Sequence, residues 1–398
     1  MRRREFMVKS GLVSAAVVTS STTMGHALSN NSANETVRIG VIGTGARGSG
    51  LIPLIAQIPN FEVVACCDIL PFRLENGLAK TKSKAKGYSD YRKLLEHPDL
   101  DAVLVATPFS SHSKIAMDAL DADKHVYCEK TMAKGFEGIR NLVNKAKSSN
   151  TIFQTGHQYH SSRLYTYIVE MIKAGEIGNI AAFECQWNRN GNWRRAVSDP
   201  KLERLINWRM YREFSGGLAA ELSSHQIDFA NWVLDETPEK VMGMGGVDYW
   251  KDGRETYDNI HLLYSYPSGV KAKFTCLTSN AMDDYKIKVH GDQGTVILDY
   301  VRAWFYPEGK TNKQTGNVDG VAGATLSWDE GKGYPIQVDH EDPSKQALRD
   351  FRNNIVGRKA PLSDVLTGAK ASICVQMGLD AMYNEKIVNW PSNYGDDL

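Results

Sequence analysis

Residues 37–48 read VRIGVIGTGARG, a short apolar run that ends on glycines at 43, 45 and 48. Helical spacing of apolar residues follows at once, at Leu51, Leu54, Ile55 and Ile58. Few chain segments constrain a fold so tightly. Gly43 permits a tight turn, Gly45 lets a ligand approach the backbone, and Gly48 lets the coming helix pack on the strand. The helix N-terminus then offers unpaired N–H groups and the positive end of its dipole to phosphate. Gly43, Thr44, Gly45, Ala46, Arg47 and Gly48 are therefore expected to hold a dinucleotide.

A second strand-like run, FEVVACCD, ends in Asp68, 20 residues beyond Gly48. A carboxylate there accepts bonds from both ribose hydroxyls and repels a 2′-phosphate, which favours NAD over NADP. The bland alternative is a doubly wound domain with an empty crevice. The alternation continues through DAVLVATP, a helix from Ser111 to Leu120, the strand HVYCEK and finally TIFQTGHQYH. Strands alternating with helices predict a parallel sheet over residues 36–155, with ligands at its carboxyl ends. Thr107, Pro108, Glu129 and Lys130 stand at such ends.

After residue 155 the pattern changes. A helix is expected over Ser162 to Ala174, then strands of antiparallel character and a Gly-Asp-Gln-Gly hairpin, so 156–398 reads as an α+β domain with a large, open, mainly antiparallel sheet. Residues 307–340 predict a long excursion, and two last helices, Ser344 to Val356 and Asp364 to Tyr383, are expected to brace the first domain. With 47 Lys plus Arg against 46 Asp plus Glu, no electrostatic footprint for nucleic acid is present. No apolar window is long enough for a membrane span. The six cysteines match no zinc spacing and read as small buried hydrophobes.

The chain opens on Arg2, Arg3, Arg4, Glu5, Phe6, Met7, Val8 and Lys9, followed by a modest apolar stretch and a small-residue exit at Gly25-His26-Ala27. This resembles a twin-arginine export signal over residues 1–27 and predicts a periplasmic protein; a disordered basic tail is the alternative. That route carries cargo already folded. An exported chain has no pool of NAD to exchange with, so the hydride cycle would have to close within the protein.

The stretch VLVATPFSSHSKIAMDALDADKHVYCEKTMAKG, with Thr107-Pro108, His112 and Glu129-Lys130, resembles the glucose–fructose oxidoreductase, inositol dehydrogenase and rhizopine catabolism (Gfo/Idh/MocA) family. Gly216-Gly217, Glu221, His225 and Asp228 match the family's later Gly-Gly and Asp-x-x-x-His-x-x-Asp segment. The likeness runs over most of residues 36–300 and into the C-terminal helices. Thr131 stands where the family has proline, and Glu221 where it has aspartate. The resemblance implies NAD, no metal, a sugar-derived substrate and a homo-oligomer, dimer or tetramer. It also implies contacts to the cofactor from Thr107, Pro108, His112, Glu129 and Lys130, and to substrate from Tyr159, Arg163 and Asp228.

The residues themselves carry the same chemistry. Lys130 at the crevice can stabilise a developing alkoxide; a plain salt bridge is the other reading. On one helix, Glu221, His225, Asp228 and Trp232 share a face by their spacing, so Glu221 is expected to orient His225 and favour its charged form. Trp187, Asn188, Arg189, Trp193, Trp208, Arg209 and Tyr211 crowd one short region, where flat faces beside donors suit a sugar ring; Trp193 is taken as a substrate contact. The expected function is oxidation of a sugar hydroxyl by tightly bound NAD, with Lys130, His225 and Glu221 catalytic. A redox-neutral glycosidase (transient C3 oxidation, elimination, water addition, re-reduction) and a non-catalytic sugar-binding protein are the alternatives.

Overall fold

The computed structural model describes residues 35–308 and 333–394. The expected leader and most of the expected excursion lie outside them.

β1 (Val37–Ile42) is buried at five of its six residues because it sits at the centre of a six-stranded parallel sheet. Around it run α1 (Ala46–Ile55), β2 (Phe61–Cys67), α2 (Pro71–Leu78), β3 (Lys86–Tyr88), α3 (Tyr91–Leu95), β4 (Ala102–Val105), α4 (His112–Asp121), β5 (His125–Cys128), α5 (Phe136–Lys147) and β6 (Phe153–Thr155). The strand order β3-β2-β1-β4-β5-β6 turns back between β1 and β4. That reversal splays the loops after both strands and leaves a crevice at their carboxyl ends.

Beyond α6 (Arg163–Lys173) come β7 (Ile180–Trp187), the short α7 (Glu203–Ile206) and α8 (Ser224–Leu234). The strands β8 (Lys240–Gly246), β9 (Asn259–Ser265), β10 (Lys271–Leu277), β11 (Tyr285–Gly291), β12 (Gly294–Leu298), β13 (Ala303–Pro307) and β14 (Tyr334–Ile336) follow. α9 (Pro343–Gly357), α10 (Val365–Tyr383) and β15 (Val388–Asn389) complete the chain. The second sheet has nine strands in the order β14-β13-β12-β11-β7-β10-β9-β8-β15. Its alternation is clean: Ile260, Leu262 and Tyr264 of β9 face inward while His261 and Leu263 face out, as a sheet covered on one side requires.

The sheet is mainly antiparallel, as expected, with one parallel pair, β7 and β10. Two other expectations are corrected here. Part of the expected excursion, Tyr334–Ile336, is a strand on β13. The helix expected to run unbroken from Gly217 begins as a π-helical turn, Ala219–Ser223, before α8.

The closing helices bind the halves together. Ala347, Leu348 and Phe351 of α9 belong to the same apolar cluster as Val37, Ile39 and Val41 of β1. The Phe351 ring meets Tyr127 edge-on, 5.6 Å between centroids. α10 is buried on nearly every face, as an apolar helix between two layers must be. The Tyr264 hydroxyl donates to its Cys374 carbonyl at 2.7 Å, while Thr155 N–H at the end of β6 donates to the Ser363 carbonyl just before it at 2.8 Å. All six cysteines are buried thiols.

Phe351→Ala removes a ring from a core formed jointly by the two ends of the chain. It is expected to cost about 3–5 kcal/mol in a urea melt and to lower the single unfolding transition, rather than release α9 alone.

Candidate active site

Each glycine of the first turn has a distinct geometric reason. Gly43 has φ +90°, and a Cβ on it would meet the Ala106 backbone at 2.7 Å. A Cβ on Gly48 would come within 2.0 Å of the Gly43 carbonyl oxygen, so only glycine lets α1 approach β1 this closely. Around Gly45, by contrast, the nearest atom is Arg73 Nη1 at 3.8 Å. Gly45 also caps α1 with no side-chain bond, so no side chain occupies the anion-binding end of the helix. This uncrowded cradle fits a pyrophosphate. Thr44 serves the turn from within: it is wholly buried and its hydroxyl donates to the Arg73 carbonyl at 2.9 Å. Thr44, expected to hold the dinucleotide with the rest of the turn, is not among the residues lining the cleft.

At the end of β2 the Asp68 carboxylate accepts from Thr44 N–H at 3.0 Å and Leu70 N–H at 2.9 Å. Each oxygen keeps a lone pair for a ribose hydroxyl. Burial raises the Asp68 pKa, with the N–H groups and Arg73 pulling it back. Gly43, Gly45, Ala46, Arg47 and Asp68 line a cleft of about 750 Å³ together with Thr107, Pro108, His112, Glu129 and Lys130. Arg47 donates to Glu129 at 2.7 Å and to the Ser344 hydroxyl at 3.2 Å, tying the glycine turn to the end of β5 and to α9. His112 is braced between the carbonyls of Thr107 and Thr131, 2.9 Å each, and burial lowers its pKa. It fixes the two strand-end loops that frame the crevice.

The second half enters the same cleft through the π-helical turn. A π-turn pairs i with i+5, so it shifts side chains that an unbroken α-helix would superpose. The Lys130 ammonium donates to the Glu221 carbonyl at 2.9 Å and the Ala220 carbonyl at 3.3 Å. The peptide that follows, Lys130–Thr131, is cis. Burial lowers the Lys130 pKa against the opposing pull of Glu221 and Glu129.

The expectation that Glu221 orients His225 is overturned. The Glu221 carboxylate accepts from Arg209 Nε at 2.7 Å, and the Arg209 guanidinium carbon lies over the Trp208 ring, 4.2 Å from its centroid. The four-residue spacing crosses the junction between π-turn and α8, so the two side chains part. His225 is instead ringed by Tyr159, Trp187 and His157, at 5.2, 5.8 and 6.0 Å between centroids. Burial first, then the positive charge of Lys130, holds its pKa well below 6.5. His225 is thus neutral near pH 7, the reverse of the charged form expected, and it faces the cleft beside Lys130.

Four expected substrate contacts are not among the residues lining the cleft. Tyr159 is buried behind His225, stacked on Tyr165 at 4.2 Å. Asp228 accepts from His160 Nε2 at 2.9 Å in a fully buried pair. Arg163 is exposed at the start of α6, and Trp193 sits at φ +68° on the loop after β7. Sequence reasoning missed Arg73, Gln158, Arg195 and Leu205, which do line it. No periodicity marks loop residues. Only the crowding of arginine and tryptophan after β7 hinted at them.

The model of the oxidoreductase family's NAD-binding Rossmann fold matches residues 37–157, and that of the GFO/IDH/MocA C-terminal domain matches residues 165–297. The chain is 26% identical over 271 residues to the myo-inositol 2-dehydrogenase of Thermotoga maritima, spanning 67% of this chain and 76% of that one. It is 28% identical over 265 residues to the 2,7-anhydro-N-acetylneuraminate hydratase of Escherichia coli, spanning 66% and 68%. A solved levoglucosan dehydrogenase in complex with NADH and levoglucosan has the same fold, with a TM-score of 0.73 over 90% of this chain and all of that one at 17% identity. With both halves matched and the glycine cradle in place, the chain belongs to the Gfo/Idh/MocA family of oxidoreductases, and its first domain is an NAD-binding Rossmann domain.

Proposed function

We propose that the enzyme oxidises a hydroxyl of a sugar or sugar derivative, with Lys130 and His225 handling the proton. One observation carries this reading: an ammonium from the first half and a neutral imidazole from the second line the same cleft as the glycine cradle. The names of the relatives, which act on an inositol and on an anhydro-sugar, support the substrate class. When bound, NAD supplies the hydride acceptor. The Lys130 ammonium, kept in place by two carbonyls, hydrogen-bonds the substrate oxygen and stabilises its alkoxide character as the C–H electron pair departs. Neutral His225 takes the hydroxyl proton, which requires no prior deprotonation of the ring. Glu221 acts on Lys130 through its carbonyl and its charge, while its carboxylate holds Arg209, so we assign it a positioning role.

A second reading is redox-neutral. A hydroxyl is oxidised transiently, the neighbouring C–H becomes acidic, a substituent leaves, water adds and the alcohol is restored. The relative named as a hydratase favours it. Incubation with sugars and glycosides separates the two. A keto-sugar formed one for one with reduced NAD supports net oxidation, whereas a hydrolysed or hydrated product without added NAD supports the cycle. Formation of neither from any polyol or glycoside sinks both.

Lys130→Met and His225→Ala are each expected to lower kcat by about 10²–10⁴-fold while NAD remains bound. The pH profile of the wild type should be a bell. Activity falls on the acid side as His225 gains a proton, below its ordinary 6.5, and on the alkaline side as Lys130 loses one, below its ordinary 10.5. In His225→Ala the acid limb should vanish.

We further propose that the leader directs export by the twin-arginine route, supported by Arg3 and Arg4 ahead of an apolar stretch. Replacing both by lysine is expected to leave the protein in the cytoplasmic fraction; an unchanged distribution would count against it.

A further inference from the structure

Between β7 and the π-helical turn the chain leaves the second half, crosses the nucleotide cleft and returns. Its ends are anchored: Gly191 N–H donates to the Thr278 carbonyl at 2.9 Å, and Glu255 N–H donates to the Met210 carbonyl at 2.8 Å. Its middle is pinned internally. Asn207, buried, accepts from Arg195 N–H at 2.7 Å and donates to the Arg195 carbonyl at 2.9 Å. Next to it the Arg194 guanidinium is paired with Glu203 and Asp252. Arg195 is therefore held by its backbone while its side chain is left exposed toward the cleft.

Two features of this crossing lack a purpose within the protein alone. First, like charges face each other. Ion pairs among the described residues engage Arg47, Arg194, Arg204 and Arg209, but neither Arg73 nor Arg195. Arg73 lies beside the open Gly45 cradle, and its pKa is lowered by burial and then by the charges of Arg195 and Arg209 despite Asp68 nearby. Second, two aliphatic side chains line the cleft in the open: Ile69, 65% exposed, follows the ribose carboxylate Asp68, and Leu205, 37% exposed, comes from the crossing segment. Cations without an ion pair in one cleft call for an anion, and exposed aliphatics lining it call for a flat apolar ring.

We propose that residues 192–209 form a fixed strap over the dinucleotide, Arg195 joining Arg73 on the phosphates and Leu205 joining Ile69 on the adenine, so that NAD is a resident of the folded chain rather than an exchanging substrate. This rests on the cleft being the NAD site and is independent of the reaction carried out there.

The test reads cofactor content, not turnover. Full-length protein purified without added NAD and passed through repeated gel filtration is denatured, and the NAD released per chain is measured. Wild type is expected to release close to one per chain. Arg195→Glu and Leu205→Asp, both at exposed side chains and checked for an unchanged circular dichroism spectrum, should each retain at least about tenfold less after the same filtration. A wild type that emerges empty, or an Arg195→Glu protein as full as wild type, overturns the strap. Leu205→Asp at wild-type content overturns its adenine contact. A protein that keeps its NAD yet turns over no sugar leaves the strap standing and refutes the proposed reaction instead.

Discussion

The site depends on one contact between the halves: the Lys130 ammonium set on the carbonyls of Ala220 and Glu221. A buried ammonium is costly unless its donors are satisfied and its charge is answered. Backbone oxygens take two of its three N–H donors, and Glu221 and Glu129 answer the charge without either bonding the lysine through its carboxylate. The π-helical turn carries both carbonyls, so an amine at the tip of a parallel strand is held by a helix of another layer. The Glu221 carboxylate of the same turn bonds Arg209, and His225, just after it, lines the cleft with its pKa lowered.

Much of the first half could be read directly from residues. Gly43 and Gly48 each answer a separate steric demand, Gly45 leaves the helix end open, and Asp68 stands at the strand end its spacing required. These features are local, so a short window contains them. The second sheet was visible through its period-two alternation, but its central parallel pair was not. Strand direction across β7 and β10 is set by chain segments more than 80 residues apart.

The candidate site was legible where it depended on type and place, as at Lys130 and His225. It was misread where it depended on helical phase. Glu221, His225 and Asp228 were assigned one face on the assumption of an unbroken α-helix, and the inserted π-turn moved the first of them. Asp228 then finds His160 rather than the cleft. Tyr159 is withheld by stacking on Tyr165, a contact between residues six apart that no amphipathic pattern announces. Arg195 was invisible for a simpler reason: unlike Arg194 and Arg204, it has no ion pair with a neighbour in the sequence among the described residues to mark it.

The bracing of the nucleotide sheet by α9 has a consequence for biosynthesis. The first 155 residues to leave a ribosome lack Leu348 and Phe351 from their core, and Arg47 lacks its partner on α9. A nascent Rossmann half is therefore an unfinished one. The glycine turn and β1 gain their full bracing only once residues 343–357 have been made, late in synthesis.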